Sequence, residues 1–215
     1  MSTRDWADAT KDNIDPKLVS RLPRIPKSVQ FRNAKLVGFG VHSEVYSVSA
    51  SYKNRTVTVA LKLFSERWKE RFEAEVHAYE FLEHFSVWGV VPVSYGCDRD
   101  WDSKRLREVL GNAIQPTSPL RTPVSVIMLE YIPESAPLSP DNVNWRVCKE
   151  TLRGLDLIHK AQVLHHDIGE RNVLVSPPTE RVVWIDFSSS YINPDDMEIW
   201  HERGVAHSLL YQHVV

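Results

Sequence analysis

The 215-residue chain has 26 basic and 28 acidic residues, and its formal net charge at pH 7 is −2. This balance excludes a strongly basic nucleic-acid-binding protein and gives no general attraction to anionic lipid. Hydrophobic residues make up 42% of the chain and charged residues 25%, which is typical of a globular protein and excludes wholesale disorder.

The cysteines and the chain's apolar runs indicate where the protein is found. Cys97 and Cys148 are too far apart in sequence to suggest a disulfide framework or a zinc site. Cys148 falls on the apolar stripe of a predicted helix, so we expect a buried free thiol. The N-terminal residues lack the apolar core of a signal peptide, and no apolar run is long enough to span a bilayer. We therefore expect an intracellular protein, cytoplasmic or nuclear, with no membrane or nucleic-acid partner.

The first part of the chain predicts a β-rich unit. Residues 1–30 are polar and interrupted by prolines, so we expect an extended leader. Five strands are then predicted from their apolar patterns, at 31–38, 44–51, 56–64, 90–96 and 124–132. A helix is predicted at 65–85 with Ser65 as its N-cap, and the residues of its buried face are Trp68, Phe72, Val76, Tyr79, Leu82 and Phe85. The polar insertion 97–123 contains a short helical pattern and is long for a connection between neighbouring strands.

The second part of the chain predicts a helical unit. Apolar residues recur at helical spacing between 141 and 160, and this core stripe consists of Trp145, Cys148, Leu152, Leu155 and Ile158. A polar loop within 163–175 separates the helix from an apolar strand at 181–187. Residues 188–215 offer at most one or two short helices.

Together these elements predict an α+β fold with three segments. An extended leader, 1–30, precedes a five-stranded antiparallel unit with one helix, 31–132. A short, mainly helical unit, 133–215, follows it, and the two units join near Glu130 and Pro133.

A segment with two glycines, 38–45, lies between the first two predicted strands. Gly38 and Gly40 would let a hairpin approach phosphate groups closely and would offer backbone N–H donors to them. The same spacing also occurs in ordinary turns, so for this segment alone both interpretations stay open.

Lys62 and Glu75 form a candidate pair. Lys62 lies on an apolar strand and shares a face with Thr58 and Ala60, small residues that leave room for a ligand. Glu75 lies beside the buried face of the predicted helix, where it needs a partner because burying an isolated charge is costly. A solvated lysine and a plain structural salt bridge are the alternatives without a functional role.

The segment VLHHDIGERNVLV, 163–175, has an unusual density of ionisable groups between two apolar runs. Asp167 can accept a proton, and the amide oxygen of Asn172 can ligate a hard cation. Asp186 ends the next apolar strand, which puts its carboxylate at the rim of a cleft. Oxygen ligands from Asn172 and Asp186 suit Mg²⁺. Taken singly, the aspartate is more often a turn former or helix cap, and a histidine such as His165 is more often a structural core residue.

In their order and spacing these motifs resemble the protein-kinase signature set. The matching elements are Gly38-x-Gly40-x-x-Ser43-x-Val45, Val59-Ala60-Leu61-Lys62, a helical Glu75, His165-His166-Asp167 with Asn172, and Asp186-Phe187-Ser188. The chain therefore resembles the protein-kinase-like superfamily from about Phe31 to about Ser190.

The resemblance implies a bilobal kinase fold that binds ATP and Mg²⁺ between its two lobes. The implied nucleotide-binding residues are Gly38 and Gly40 over the phosphates, Val45 and Ala60 around the adenine, Lys62 on the α- and β-phosphates, Glu75 as the partner of Lys62, Leu129 as gatekeeper, and Glu130 to Ile132 as the hinge. Asp167 would orient the acceptor hydroxyl and take its proton. Asn172 and Asp186 would hold Mg²⁺, and His165 would brace the loop.

Several positions depart from the kinase pattern. Ser43 replaces the third loop glycine, and Ser188 replaces the glycine after Asp186-Phe187, which should stiffen the metal-binding turn. His166 stands in place of an arginine that contacts a phosphorylated activation loop, which argues against activation by that route. The residues after Phe187 do not match the helices that complete the second lobe. The chain is thus similar to minimal or atypical kinases; a truncated gene product and a protein partner on the short lobe are alternatives that stay open.

The leading functional interpretation is an ATP- and Mg²⁺-dependent phosphotransferase. Its expected acceptor is a hydroxyl group, on a protein serine or threonine or on a small molecule. A pseudokinase that binds nucleotide or acts as a scaffold is the alternative; the retained polar motif residues argue against it, and the short second lobe argues for it. Zinc binding by His159, His165 and His166 is a third interpretation, for which neither the spacing nor a nearby cysteine offers support.

Overall fold

The computed structural model describes residues 14–114, 120, 123–177 and 181–212. Four helices and ten strands lie within these ranges. In chain order they are β1 (Gln30–Phe39), β2 (Ser43–Tyr52), β3 (Arg55–Ser65), α1 (Lys69–His84), β4 (Ser94–Trp101), α2 (Ser103–Leu110), β5 (Val124–Glu130), β6 (Ala136–Pro137), α3 (Trp145–Lys160), β7 (Val163–Leu164), β8 (Val173–Ser176), β9 (Arg181–Trp184), β10 (Tyr191–Ile192) and α4 (Asp196–Tyr211).

The first five strands form one antiparallel sheet in the order β1-β2-β3-β5-β4. This arrangement confirms the predicted α+β class and the five-stranded antiparallel sheet. Side chains alternate along β3 because strand residues point to opposite faces in turn. Val59, Leu61 and Leu63 pack on the outer face in a core that includes α2. Ala60 and Phe64 belong to a second core on the inner face, which the sheet shares with α1, α3 and α4.

The fourth strand lies further along the chain than predicted. Val90 and Val91 are buried in the inner core, but β4 begins only at Ser94 and continues to Trp101, inside the expected insertion. Pro92 has no N–H to give to a ladder, so the apolar run around it packs as a loop. Of the insertion 97–123, residues 115–119, 121 and 122 lie outside the described residues.

Within the described part of the leader, residues 14–29, the segment 23–25 pairs with the free edge of β4. The N–H of Ile25 donates to the carbonyl of Cys97 at 3.1 Å, and the N–H of Cys97 donates to the carbonyl of Pro23 at 2.9 Å. Hydrogen bonds of this kind cover an edge strand that would otherwise expose unpaired backbone groups. Residues 1–13 of the expected leader lie outside the described residues.

Helix α1 buries the face predicted for it, with two corrections at its ends. Phe72, Val76, Tyr79 and Leu82 are buried, whereas Phe85 is 37% exposed just beyond the helix. Ser65 caps a short 3-10 turn, Glu66–Trp68, without a side-chain hydrogen bond, and α1 starts only after that turn. The helical spacing of apolar residues is the same in the 3-10 turn and in α1, so it predicts the buried face but not the residue at which α1 begins.

Helix α3 fits its predicted core stripe in the middle and at its C-terminal end. Leu155 and Ile158 are fully buried. Trp145, the first helical residue after the N-cap Asn144, is 72% exposed, and Cys148 is a free thiol that is only half-buried. The prediction of burial was therefore wrong for Trp145 and Cys148, because the buried face at this end of the helix passes through Val147 and Thr151 instead.

The tail forms one long helix rather than the one or two short helices expected. Helix α4 has 16 residues and begins with a capping box between Asp195 and Glu198. Its buried positions are Glu202, Ala206 and Leu210, spaced four residues apart, and the first of them is charged. An apolar stripe that contains a glutamate gives a weak helical signal. Met197, Trp200 and Tyr211 are exposed on α4, and a protein partner on this part of the chain stays a prediction.

The remaining short strands arrange the loops between α3 and α4. Strands β6, β8 and β9 form one small antiparallel sheet, and β7 pairs with β10. Together these pairs place the segment 165–172 and the residues after β9 beside the inner face of the large sheet. Within the described residues, no helix is both long and apolar enough to cross a membrane.

Candidate functional site

Three charged residues from distant parts of the chain meet at the inner face of the sheet. The ammonium group of Lys62, on β3, is 2.5 Å from Oε2 of Glu75 on α1 and 2.8 Å from Oδ1 of Asp186, which follows β9. The side chains of Lys62 and Glu75 are 5% and 0% exposed, whereas that of Asp186 is 36% exposed. Lys62 and Glu75 therefore form the predicted pair. Asp186, which also contacts Lys62, is partly exposed.

Burial and charge act against each other in this cluster. Burial would lower the pKa of Lys62, but the carboxylates of Glu75 and Asp186 outweigh it and raise the pKa above its ordinary value. Burial would raise the pKa of Asp186, but Lys62 and then Ser188 hold it well below its usual range. Burial also raises the pKa of Glu75, against the pull of Lys62, to about 7. Lys62 and Asp186 are thus both charged at neutral pH.

The conformation of Asp186 is fixed by its own loop. Its φ angle is 64°, in the left-handed region that non-glycine residues rarely adopt. The hydroxyl of Ser188 donates to Oδ1 of Asp186 at 2.6 Å, and the N–H of Ser188 lies 3.3 Å from the same oxygen. Ser188 thus hydrogen-bonds the carboxylate itself, and the expected stiffening of the turn stays a prediction.

The loop after β7 brings Asp167 and Asn172 together. The amide nitrogen of Asn172 donates to the carbonyl of Asp167 at 2.8 Å and to Oδ2 of Asp167 at 2.9 Å. The N–H of Ile185 donates to the carbonyl of Asn172 at 2.9 Å, which places Asn172 beside the strand end that carries Asp186. Hydrogen bonds therefore join Asp167 to Asn172 and Asn172 to Ile185, whose chain neighbour Asp186 contacts Lys62.

Asp167 also forms an ion pair within its loop. The guanidinium group of Arg171 donates to Oδ1 of Asp167 at 2.7 Å and to Oδ2 at 2.9 Å. The side chain of Arg171 is 72% exposed and that of Asp167 is 32% exposed. An exposed pair of this kind contributes little to stability, so it can open when another group approaches Asp167.

His165 is buried under the same loop. Its Nε2 lies 2.9 Å from the carbonyl of Ile185, and its ring centroid is 4.8 Å from that of Phe187. Burial lowers the pKa of His165, so the ring is neutral and Nε2–H donates to the carbonyl. Phe187 in turn contacts Tyr79 of α1, with 5.4 Å between ring centroids. His165 thus supports the loop through a stack of rings that ends on α1.

Glu202 of α4 is a site residue that sequence reasoning missed. Its carboxylate accepts a hydrogen bond from the N–H of His165 at 3.2 Å and from the N–H of His166 at 2.5 Å. It also lies 2.7 Å from Nε2 of His159 on α3. Burial would raise the pKa of Glu202, but His159 and the His166 amide lower it, so the buried group is charged. His166 has a φ of 60°, and these bonds to Glu202 hold it there.

Most of the predicted nucleotide-binding residues share the inner face of the sheet with Lys62. Across the ladder, Val45 pairs with both Gly38 and Lys62, and Ala60 pairs with Leu129. Residues paired across neighbouring strands point to the same face. Val45 and Ala60 are half-buried, and Leu129 is 7% exposed. An apolar surface therefore lies next to the charged cluster.

Glu130 is held by a residue that sequence reasoning also missed. The guanidinium group of Arg181, on β9, contacts both carboxylate oxygens of Glu130, at 2.5 and 2.9 Å. The same group donates to the carbonyl of Gly89 at 3.0 Å. The carboxylate of Glu130 is thus held in a structural ion pair with Arg181. Ile132, just beyond it, is 7% exposed.

The turn between β1 and β2 leaves room beside its second glycine. The N–H of Gly40 donates to the carbonyl of Ser43 at 2.9 Å and closes the turn. A Cβ added at Gly40 would meet no atom within 4 Å, whereas one at Gly38 would lie 3.8 Å from Val45. The open side of Gly40 fits a bulky polar group such as a phosphate.

The donor set near Asp186 fits Mg²⁺ with a phosphorylated ligand. In the described part of the chain, the hydrogen bonds to Asp186 all end on Oδ1, and the hydrogen bonds of the Asn172 side chain all come from its amide nitrogen. Each residue keeps one oxygen for a cation, and Mg²⁺ normally takes one or two protein oxygens together with phosphates and waters. No group of three or more His, Cys, Asp or Glu side chains that could hold a metal occurs among the described residues, and zinc has no site there.

Comparison with known proteins gives a distant similarity. No protein-family model matches the chain. Among curated proteins, the receptor tyrosine-protein kinase erbB-4 of Homo sapiens is 25% identical over 191 aligned residues, which cover 84% of this chain. The relation is distant and kinase-like. The chain spans only 13% of that receptor's length.

Proposed function

We propose that this protein is an ATP- and Mg²⁺-dependent phosphotransferase with a kinase-like, two-lobed fold. The observation that carries the proposal is the position of Lys62, whose ammonium group contacts both Glu75 and Asp186. Such a buried cation, next to a partly exposed carboxylate, suits a triphosphate whose charge needs neutralising. In this proposal the lobes are residues 31–132 and 133–215, and the nucleotide lies between them.

The nucleotide would lie along the inner face of the sheet. Val45, Ala60 and Leu129 would contact the adenine, and the backbone of Glu130 to Ile132 would hydrogen-bond its edge. The backbone N–H groups near Gly38 and Gly40 would face the phosphates. Lys62 would bind the α- and β-phosphates, held in position by Glu75.

The proposed chemistry depends on orientation and charge. Mg²⁺, held by Asn172 and Asp186, would neutralise the negative charge of the phosphates. Asp167 would hydrogen-bond the acceptor hydroxyl and receive its proton as the acceptor oxygen bonds to the γ-phosphorus. The bond from that phosphorus to the β–γ bridging oxygen breaks, and ADP leaves. Glu202 would keep the backbone of this loop in place without touching the substrate.

A hydroxyl group is the proposed acceptor because Asp167 can accept a proton from an alcohol. We propose a protein serine or threonine side chain, and a small-molecule alcohol is the alternative. The pseudokinase alternative is favoured by a separate observation, the ion pair in which one guanidinium nitrogen of Arg171 contacts both carboxylate oxygens of Asp167. A module that only binds nucleotide would keep that pair closed.

The proposal is tested by measuring ATP hydrolysis and autophosphorylation with and without Mg²⁺ in three proteins. The wild type is expected to be active only with Mg²⁺, and Asp167→Asn is expected to bind Mg·ATP normally but lose turnover by at least about a hundredfold. Ser208→Ala, on the exposed side of α4, serves as the matched control with full activity. Mg·ATP binding without turnover in the wild type would favour the pseudokinase alternative, and no binding would contradict both.

A further inference from the structure

His42 lies at the tip of the turn between β1 and β2, at a position the proposed function does not yet use. The turn is closed by the hydrogen bond from Gly40 to Ser43, so His42 has a fixed place within it. The side chain is half-buried although it belongs to a surface turn. Part of the side chain therefore lies against the protein.

The imidazole ring is held by an aromatic contact to the start of α1. The centroids of the His42 and Trp68 rings are 4.3 Å apart, and the rings meet edge to face at 68°. The guanidinium carbon of Arg67 lies 5.1 Å from the centroid of the same Trp68 ring. Edge-to-face contacts of this kind orient a ring as well as holding it. The contact joins the tip of the turn to the helix that carries Glu75.

Four charged groups influence the protonation of this ring. Burial lowers the pKa of His42, Arg71 of α1 and Lys62 of β3 lower it further, and the carboxylates of Asp186 and Asp167 act in the opposite direction. The ring is therefore neutral at pH 7 and carries one N–H donor. Trp68 packs against the inner core, so the His42 ring lies on the side of the turn where Lys62 and Asp186 meet.

We propose that His42 is a further phosphate-binding residue, whose imidazole N–H donates a hydrogen bond to the terminal phosphate of the bound nucleoside triphosphate. The inference rests on the proposed function, because that function puts the phosphates between the turn and the Lys62–Asp186 pair. A phosphate there meets a ring already oriented by Trp68, so little ordering is needed on binding. ADP lacks the terminal phosphate, so His42 would make this contact with ATP and not with ADP.

The inference is tested with two variants of the full chain. His42→Phe keeps an aromatic ring against Trp68 but has no donor, and His42→Gln keeps a donor without the ring. Calorimetric titration gives the affinity of each protein for Mg·ATP and for Mg·ADP. His42→Phe is expected to bind Mg·ATP about tenfold more weakly, as for the loss of a hydrogen bond to a charged group, while its Mg·ADP affinity changes by less than about twofold. His42→Gln is expected to recover most of the Mg·ATP affinity.

The results distinguish a failure of this inference from a failure of the proposed function. If His42→Phe binds both nucleotides as the wild type does, or loses affinity for both equally, His42 has no role at the terminal phosphate and the proposed function is unaffected. If His42→Gln binds Mg·ATP no better than His42→Phe, the ring packs on Trp68 and does not act as a donor. If the wild type binds neither nucleotide, both ideas fail. Unchanged melting temperatures of the free variants are the check that folding is intact.

Discussion

At Lys62 a single ammonium group is buried among carboxylates supplied by a helix and by a loop more than a hundred residues away. A charge in this position is tolerated only while its partners are present, because desolvation costs several kcal/mol for each ion. Glu75 has the same dependence, since its other oxygen, Oε1, is buried and has no hydrogen-bond partner among the described residues. Each of the two groups thus requires the other for a stable fold.

Removal of one partner should therefore be more harmful than removal of both. Lys62→Met is expected to lower the free energy of unfolding by about 3 kcal/mol, because Glu75 is left buried without a cation. Adding Glu75→Leu to that variant should recover a large part of the loss, and chemical denaturation of the four proteins of the cycle measures it. Additive effects of the two substitutions would contradict a coupled pair.

His165 predicts a dependence of stability on pH. Its pKa is lowered from 6.5 in the folded protein because the ring is buried, so below that pH the unfolded chain binds a proton that the folded protein does not. The contribution of His165 to stability is thus complete above about pH 6.5 and is lost as the pH falls, by up to about 1.4 kcal/mol per pH unit. Denaturant unfolding of the wild type and of His165→Gln between pH 5 and pH 8 measures the difference. Parallel curves would show that His165 does not cause it.

At the scale of single elements, α4 connects the loop that carries Asp167 to the inner core. Through Glu202 it holds the backbone at His165 and His166, and through Ala206 and Leu210 it packs in the inner core. Its capping box at Asp195 starts the helix close to β10, which pairs with β7 just before the loop. The position of Asp167 therefore depends on how α4 packs.

Glu202→Gln tests this dependence. The amide has one acceptor oxygen where the carboxylate has two, so one buried N–H of the loop loses its partner and the free energy of unfolding should fall by about 2 kcal/mol. Turnover should fall more than nucleotide affinity, because Asp167 shifts while the inner face of the sheet does not. Ser208→Ala on the same helix is the control and should change stability by less than about 0.5 kcal/mol. Equal losses in turnover and nucleotide affinity would argue against a local effect on the loop.

Sequence patterns predicted the charged residues of the candidate site better than the residues that hold them in place. Lys62 and Glu75 could be paired because a charge inside a strong apolar pattern needs a partner. Glu202 could not be found in this way, because its partners are backbone N–H groups of a loop whose path depends on the whole fold. Arg181 was missed for a similar reason, since two carbonyl groups and one distant carboxylate satisfy it. The start of β4 was misplaced because buried loops and buried strands share the same apolar composition.

At the scale of the whole molecule, Arg181 joins the two parts of the chain next to the proposed adenine site. It reaches from β9 to Glu130 at the end of β5, and it also donates to the carbonyls of Gly89 and Val91 in the loop before β4. One side chain thus connects the end of the sheet, the loop after α1 and the small sheet. Arg181 therefore contributes to the contact between these three segments.

Arg181→Gln should loosen that connection. Glu130 then keeps only the N–H of Val93 as a partner among the described residues, and the expected loss is about 2 kcal/mol in the free energy of unfolding. Mg·ATP affinity should fall with it, by about threefold to tenfold, because the backbone of the proposed hinge is less well positioned. Arg153→Gln, which removes the exposed pair with Glu150, is the control and should leave both quantities nearly unchanged. Thermal unfolding and calorimetric titration measure the two effects.

The packing of Phe187 has a consequence for inhibitor design. Its ring lies between Tyr79 and His165, and its carbonyl accepts hydrogen bonds from both the N–H and the hydroxyl of Ser190, at 3.0 and 2.7 Å. Eight residues after Phe187, Asp195 already caps α4. Compounds that only fill the proposed adenine site would leave this arrangement unchanged. Compounds that displace the Phe187 ring would have to break the Ser190 hydrogen bonds and shift the segment that leads to α4. Inhibitor screening should therefore favour compounds that leave the ring in place.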